Sequence, residues 1–353
     1  MQLSAGKFWS LRRLADDRGL FRMTAVDQRP GPIAHIAKAH GGSASYEQVG
    51  AVKRLLIEEL SPHSSAMLVD PGYAYPFAFT ALDPRKGLLL TLEQWQSEDS
   101  PGGRKTLLYS GWSVEKIKRL GADGVKLMLW YRPDASADVL AHQHALVRFV
   151  GAECARHDIP LLLEPLVYPL GAQGSADNYH EDDTKRPELV LDTLRELRKP
   201  EYGVDIFKLE SPLPAQSVPD PDVASPESAA CQHWFDAIDA LLDRPWVMLS
   251  AGAPMEPFRR VLTYAFRAGA SGYLAGRAIW WPAFQAYPDM AAFRERLRRE
   301  GVPYVARIQE ALGRHARPWT SKPAFADGVT LRAAGPQFFS AYATDLPFAG
   351  QAR

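Results

Sequence analysis

The chain has 353 residues and carries 41 basic and 41 acidic side chains, a formal net charge of zero that argues against an electrostatic nucleic-acid binder. No apolar stretch approaches the ~20 residues of a membrane span, and the start, Met1-Gln2-Leu3-Ser4-Ala5-Gly6-Lys7, lacks the apolar core of a signal peptide, so no membrane partner and a cytoplasmic location are expected. Two cysteines, Cys154 and Cys231, are too few for a disulfide framework and read as ordinary thiols.

A helix is expected near residues 7–17. After it come eight short apolar runs bounded by Gly, Pro or charge, at residues 21–26, 66–69, 88–92, 125–130, 160–163, 204–209, 246–249 and 272–275. Amphipathic stretches at 45–60, 113–120, 137–157, 187–197, 232–242 and 255–268 fill most of the gaps. Near-continuous apolar strands alternating with helices imply parallel pairing buried on both faces. The expectation is therefore an α/β protein, a single (β/α)₈ TIM barrel over about 20–300, with an N-terminal helix and a C-terminal extension at about 315–353. The gap between Asp70 and Leu88, with Pro71, Gly72, Pro76 and Pro84, leaves room only for a short helix around 77–82. A doubly wound sheet would use the same alternation but needs a glycine-rich turn after its first strand. That turn reads Asp27-Gln28-Arg29-Pro30-Gly31-Pro32, and the barrel is preferred.

Two long loops follow strands five and six, at 165–187 and at 211–228, the latter with five prolines. Long βα loops of a barrel commonly act as lids or specificity walls. The tail beyond His315 reads as a strap on the barrel or as a subunit contact, leaving a homo-oligomer possible.

Nearly every run closes on a polar residue: Asp27, Asp70, Glu93, Lys126 just inside its run, Glu164, Lys208, Ser250 and the pair Gly276-Arg277. These are the C-terminal strand ends, where barrel active sites lie. None of the nine histidines ends a strand, His142 and His144 are two apart on a helix and so on different faces, and His180 has no partner at ligand spacing. No metal site is expected. Serine hydrolysis lacks its Gly-x-Ser-x-Gly turn.

Lys126 and Lys208 sit in β-branched, aromatic strands, where desolvation disfavours the ammonium and lowers its pKa toward that of a nucleophile. A neutral amine adds to a ketone, and the resulting iminium withdraws electrons so that an adjacent carbon–carbon bond can break. Glu164, on strand five between the two lysine strands, is placed to move protons, with the apolar Leu161-Leu162-Leu163 before it raising its pKa; it can also pair with either lysine. Ser250-Ala251-Gly252 and Gly276-Arg277, after strands seven and eight, bring backbone amides and a guanidinium to a phosphate. Arg29, across the barrel mouth, is a candidate for a second anionic group. Schiff-base chemistry on a phosphorylated carbonyl compound is the expected activity, with no cofactor.

The chain resembles the tagatose 1,6-bisphosphate aldolase family, class I aldolases on a (β/α)₈ barrel. The resemblance runs from about residue 11 to 281 through ordered motifs: Ala25-Val26-Asp27-Gln28-Arg29, Leu68-Val69-Asp70-Pro71-Gly72-Tyr73, Gly121-Ala122-Asp123-Gly124-Val125-Lys126-Leu127, Leu163-Glu164-Pro165, Asp205-Ile206-Phe207-Lys208, Leu249-Ser250-Ala251-Gly252 and Leu274-Ala275-Gly276-Arg277. It implies that Lys208 forms the Schiff base, that Glu164 is the acid/base and that Lys126 holds substrate oxygens. It further implies that Asp27, Gln28 and Arg29 line the substrate and that Ser250, Gly252, Gly276 and Arg277 bind its phosphate, with Leu274 a further substrate-binding candidate. The expected substrate is a small phosphorylated sugar, a ketose 1,6-bisphosphate split into two triose phosphates. The loop after Lys208, Ser100-Pro101-Gly102-Gly103-Arg104-Lys105 and the tail beyond Trp281 depart from the family pattern and touch the distal half of a substrate. A relative in the family cleaves 6-deoxy-6-sulfofructose 1-phosphate, and that alternative stays open. So does a non-catalytic sugar-phosphate sensor, which would need Arg29, Ser250 and Arg277 but neither lysine nor Glu164.

Overall fold

A computed structural model of the chain describes residues 1–170, 186–332, 334–336 and 338. Eight parallel strands close on themselves in chain order: β1 (Phe21–Ala25), β2 (Ala66–Val69), β3 (Gly87–Thr91), β4 (Gly124–Trp130), β5 (Leu161–Leu166), β6 (Ile206–Leu209), β7 (Trp246–Met248) and β8 (Gly272–Ala275), the last pairing with the first. Each expected apolar run falls on one strand. β5 continues through Pro165 to Leu166, beyond its expected end, in register with Leu129 and Trp130 of β4.

Because strand side chains alternate faces, one parity of each strand fills the interior and the other meets the helices. Met23, Leu68, Leu89, Leu162, Ile206, Val247 and Leu274 form one cluster inside the barrel. Met67, Leu90, Val125, Leu127, Leu163 and Phe207 belong to the outer cluster shared with the helices. Lys126 pairs in register with Leu162 and Met128 with Glu164, while Lys208 lies two residues beyond Ile206. All three charged side chains are thereby aimed inward, above the apolar layers.

α1 (Ala5–Leu14) packs at the amino-terminal end of the barrel, and the helices around it are α2 (Pro30–Ala39), α3 (Tyr46–Leu60), α4 (Ala74–Ala78), α5 (Val114–Arg119), α6 (Ala137–Arg156), α7 (Pro187–Leu197), α8 (Pro226–Leu241) and α9 (Met255–Ala268), followed by α10 (Arg277–Phe284), α11 (Met290–Arg296) and α12 (Val302–His315). The start of α3 is set by a capping box in which the Ser45 hydroxyl accepts from the Gln48 amide and the Gln48 side chain accepts from the Ser45 amide, worth about 1 kcal/mol. Its inner face buries Val49, Val52, Leu56 and Leu60, each contributing about 1.5–3 kcal/mol. α8 begins six residues before the expected helix, with Ser225 as its cap and Pro226 in its first turn. Among the described residues no helix is long and apolar enough to cross a membrane.

Two features were not expected, and a third, the tail, follows one of its two expected readings. After β3 the chain makes an antiparallel hairpin, Glu93–Ser100 with Gly103–Leu108, in place of a simple loop. Its polar, largely exposed first strand carries no apolar alternation to announce it. α2 starts at Pro30, directly after the strand-one turn. The tail closes the amino-terminal end of the barrel: Trp319 and Phe325 join Leu11 and Leu14 of α1 in the interior cluster, and Thr330–Leu331 pairs with Gln2–Leu3. The described part of the tail is thus a strap on the barrel. Of the two expected lids, residues 171–185 with His180 lie outside the described residues. The other, 211–228, is tied to α9, where Arg260 and Arg267 donate to the carbonyls of Val218 and Pro221 at 3.3 and 2.6 Å, and none of its residues lines the cavity at the barrel mouth.

Candidate active site

The C-terminal strand ends enclose a cavity of about 790 Å³, counted to its open mouth. Asp27, Gln28 and Arg29 line it after β1, Glu93 after β3, Lys126 and Met128 on β4, Glu164 on β5, Lys208 on β6, Ser250 after β7, and Leu274, Gly276 and Arg277 at β8. The expected site residues are brought together with one exception. Gly252 is not on the cavity wall and instead backs the Arg277 guanidinium, whose Cζ would lie 3.1 Å from a Cβ at that position.

Glu164 holds the two lysines. Its Oε1 is 2.7 Å from Lys208 Nζ and its Oε2 is 2.8 Å from Lys126 Nζ, all three side chains being nearly fully buried. Lys126 has two further carboxylates, Glu93 at 2.8 Å and Asp27 at 3.2 Å. This overturns the expectation for Lys126: burial pulls its pKa down, but Glu164, Glu93 and Asp27 together push it well above the ordinary lysine value. Three ion pairs to buried carboxylates thus favour the ammonium form of Lys126. The three converging carboxylates are compensated by this cation, and among the described residues no group of three or more His, Cys, Asp or Glu could hold a metal ion.

Asp27 answers the same field from the other side. Burial raises its carboxyl, yet Lys126, Lys208, Arg29 and Lys53 bring it down to about 2. Its Oδ2 faces Lys126, while its Oδ1, the Gln28 Oε1 and the Arg29 Nε are buried with no hydrogen-bond partner in the protein. Buried polar atoms are costly when unsatisfied, and these three belong to neighbouring residues beside the cavity.

Arg29 is not an open cation. One guanidinium nitrogen donates to Tyr109 Oη at 2.9 Å and to the Glu93 carbonyl at 3.3 Å, and the other lies 3.6 Å from the Glu93 carboxylate. Burial lowers its pKa and Glu93, the larger opposing influence, raises it above the ordinary arginine value. Sequence reasoning noticed Glu93 as a strand end but gave it no role. The structure makes it a hub, since its second oxygen also accepts from the Met128 amide at 3.0 Å. The signal was available: Glu93 closes β3 as Glu164 sits near the end of β5.

At the β7 and β8 ends the backbone curls tightly. Ala251 and Gly252 adopt φ of 48° and 85°, and the Ala253 amide donates back to the Ser250 carbonyl at 2.7 Å. Gly276 precedes α10, and a Cβ there would strike the Ala25 carbonyl and crowd Gln28 Nε2, so only glycine fits. A helix N-terminus beside Ser250 and Arg277 is chemistry suited to an anion. The apolar part of the lining is formed by Trp95 of the hairpin with Met128, Trp130, Leu166 and Leu249, the last directly before Ser250. The hairpin is clamped there by Arg104, stacked between Trp130 and Tyr168 at 4.9 and 5.1 Å from their ring centres, and by its backbone amide donating to Tyr168 Oη at 2.8 Å. The helix histidines are elsewhere: His142 meets the Thr106 carbonyl and His144 the Tyr131 hydroxyl. Cys154 and Cys231 are buried free thiols.

The model of the DeoC/LacD family of aldolases matches residues 22–281. A tagatose 1,6-diphosphate aldolase of Listeria monocytogenes is 33% identical over 329 residues, covering 91% of this chain and 96% of the relative. One from Lactococcus lactis subsp. lactis is 32% identical, covering 91% of this chain and 100% of the relative. Among solved structures, a fructose-bisphosphate aldolase from Plasmodium falciparum in complex with TRAP and an inhibitor superposes with a TM-score of 0.61 at 12% identity, covering 89% of this chain and 96% of that one. A Schiff base forming fructose-1,6-bisphosphate aldolase gives 0.51 at 19% identity, with 82% and 97% covered. At these identities the structural likeness is one of fold, and each such fold is a barrel of the kind found here.

Proposed function

Since the chain belongs to the DeoC/LacD family of aldolases, we propose that it is a class I aldolase, a lyase that splits a ketose 1,6-bisphosphate such as tagatose 1,6-bisphosphate reversibly into dihydroxyacetone phosphate and glyceraldehyde 3-phosphate. The observation that carries this reading is the unequal setting of the two lysines. Lys126 is matched by three carboxylates, whereas Lys208 meets one, Glu164, the group that can also take its proton.

In this reading Lys208 Nζ gives a proton to Glu164 and attacks the ketone carbon. The carbinolamine loses its hydroxyl as water, protonated from Glu164, and leaves an iminium. Glu164 then removes the proton from the hydroxyl on C4, the C3–C4 bond breaks, and its electron pair moves into the enamine as the aldehyde departs. Protonation of C3 and hydrolysis release dihydroxyacetone phosphate and free Lys208. Lys126, ion-paired with Glu164, Glu93 and Asp27, binds substrate hydroxyls and holds the Glu164 carboxylate in position. Ser250, Gly276 and Arg277 meet the phosphate of the ketone half, Gly252 backs the Arg277 guanidinium, and Leu274 lines the substrate beside them. Asp27 and Gln28 present their unsatisfied oxygens to hydroxyl groups, and Arg29 faces the distal anion. A divalent metal has no step to perform, because the iminium is the electron sink. Phosphorylated sugars are too charged to cross a membrane unaided and stay where they are made, which supports a cytoplasmic location for the reaction.

One observation favours a second substrate. Arg29 is the cation of the distal wall among the described residues, and Glu93 already offsets its charge. A monoanionic sulfonate demands less positive charge there than a phosphate, as in 6-deoxy-6-sulfofructose 1-phosphate. The test is borohydride reduction in the presence of dihydroxyacetone phosphate, read by intact mass, followed by triose release from a panel of ketose bisphosphates and the sulfosugar. A stable adduct is expected on the native chain; its absence would leave a non-catalytic sugar-phosphate binder.

A further inference from the structure

Lys53 lies in the middle of α3, a helix whose sequence pattern gives it no special place, yet it is 1% exposed. Its ammonium uses three donors in three directions. It donates to the Val26 carbonyl and to the Gln28 carbonyl, both at 2.8 Å, and to Asp70 at the end of β2. The two carbonyls flank Asp27. Asp70 is itself fixed, accepting from the amides of Gly72 and Tyr73 at 3.0 and 2.7 Å.

The location explains why such a clamp is useful. The last ladder bond near the end of β1 is the Val26 amide donating to the Leu68 carbonyl. Beyond it the chain leaves the sheet, and residues 27–29 must present three side chains to the cavity without strand neighbours to hold them. A buried ion pair is weak evidence for stability, because well-packed apolar residues of similar volume are often as stable or more so. Its three-way geometry is evidence for placement. We propose that Lys53 is a positioning residue: by fixing the backbone on both sides of Asp27, it keeps the Asp27 carboxylate on Lys126 and the Gln28 side chain beside Gly276.

The proposal rests on the aldolase reading for its catalytic consequence, though not for the geometry itself. Removing Lys53 alone would strand the Asp70 charge, so the variant to make is the double substitution Lys53→Met with Asp70→Asn. Its crystal structure is expected to show Asp27 displaced from Lys126. A misplacement of about 1 Å can cost up to about a hundredfold in rate, so kcat for ketose cleavage should fall at least about tenfold. KM for the ketose should rise as well, because Asp27 and Gln28 also meet substrate hydroxyls, whereas borohydride trapping of dihydroxyacetone phosphate, held by the untouched turn at Ser250 and Gly276, should stay close to wild type. A merely structural role would lower the melting temperature without this split. An Asp27 carboxylate still on Lys126 in the double variant overturns the proposal. Displacement supports it even if the native chain forms no borohydride adduct, a result that would sink the aldolase reading alone. Should the double variant not fold, Lys53→Arg keeps the charge beside Asp70 but pushes the two carbonyls apart. It should lower kcat while leaving dihydroxyacetone phosphate trapping intact, and a wild-type kcat there overturns the proposal equally.

Discussion

Lys208 and Lys126 sit on opposite oxygens of one carboxylate, at 2.7 and 2.8 Å from Glu164, and differ in what else surrounds them. Lys126 has Glu93 and Asp27 in addition, which favours its ammonium form. Two lysines that look alike in sequence are thereby given different electrostatic surroundings.

The first prediction separates them. Lys208→Ala should abolish both cleavage and borohydride trapping, since no other amine at the site is able to form the iminium. Lys126→Met should lose cleavage by at least about two decades, as expected for a group that stabilises charge in the transition state, while still trapping dihydroxyacetone phosphate. Intact mass after reduction reads both outcomes, and trapping on Lys208→Ala but not on Lys126→Met would reverse the assignment.

The hub residue gives a second. Glu93→Gln removes a charge shared by Lys126 and Arg29, leaving buried cations undercompensated at a cost of about 3–5 kcal/mol in the general case. A clear drop in the urea midpoint together with a lower kcat is expected. Unchanged stability would mean that Asp27 and Glu164 suffice for Lys126 and that Tyr109 suffices for Arg29.

The two arginines should behave differently. Arg277→Ala is expected to weaken every substrate, dihydroxyacetone phosphate included, by about 1.5–3 kcal/mol for one charge-assisted contact, or one to two decades. Arg29→Ala should harm ketoses carrying a distal anion yet leave trapping of dihydroxyacetone phosphate close to wild type. Equal loss of trapping in both variants would show that they serve a single anion.

Acid stability tests Asp27. Its folded pKa of about 2 lies below the ordinary 3.8, so its contribution is present above pH 3.8 and disappears as pH falls through about 2. The difference corresponds to about 2 kcal/mol. Denaturant titrations should find wild type losing that much more stability than Asp27→Asn between pH 5 and pH 2. Parallel curves for the two proteins would remove Asp27 from the network.

Metal removal supplies the last. Activity should survive prolonged EDTA treatment, because the iminium stands where a divalent ion would otherwise withdraw electrons. Loss of cleavage restored by zinc would contradict Schiff-base chemistry at Lys208.

The amino-acid sequence by itself determined the barrel and the inward aim of its chemistry. Side-chain alternation is local, so two residues beyond Leu162 and Ile206 could only place Glu164 and Lys208 on the interior face. Gly276 was equally legible as a turn glycine at a strand end, whereas Gly252 lies behind the Arg277 guanidinium and off the cavity wall, which only the structure shows. The ion-paired setting of Lys126 was not legible, since it depends on Asp27, Glu93 and Glu164, which come from strand ends 33 to 99 residues away and meet only when the barrel closes. For the same reason Arg29 read as an open anion receptor until Glu93 and Tyr109 were found on it. The hairpin after β3 escaped because an exposed polar strand has no periodic signal, and Lys53 because a lysine in an amphipathic helix normally faces water. Local periodicity decides where a side chain points; only the tertiary structure decides which charges it meets, because electrostatic partners are set by distance in space and not along the chain.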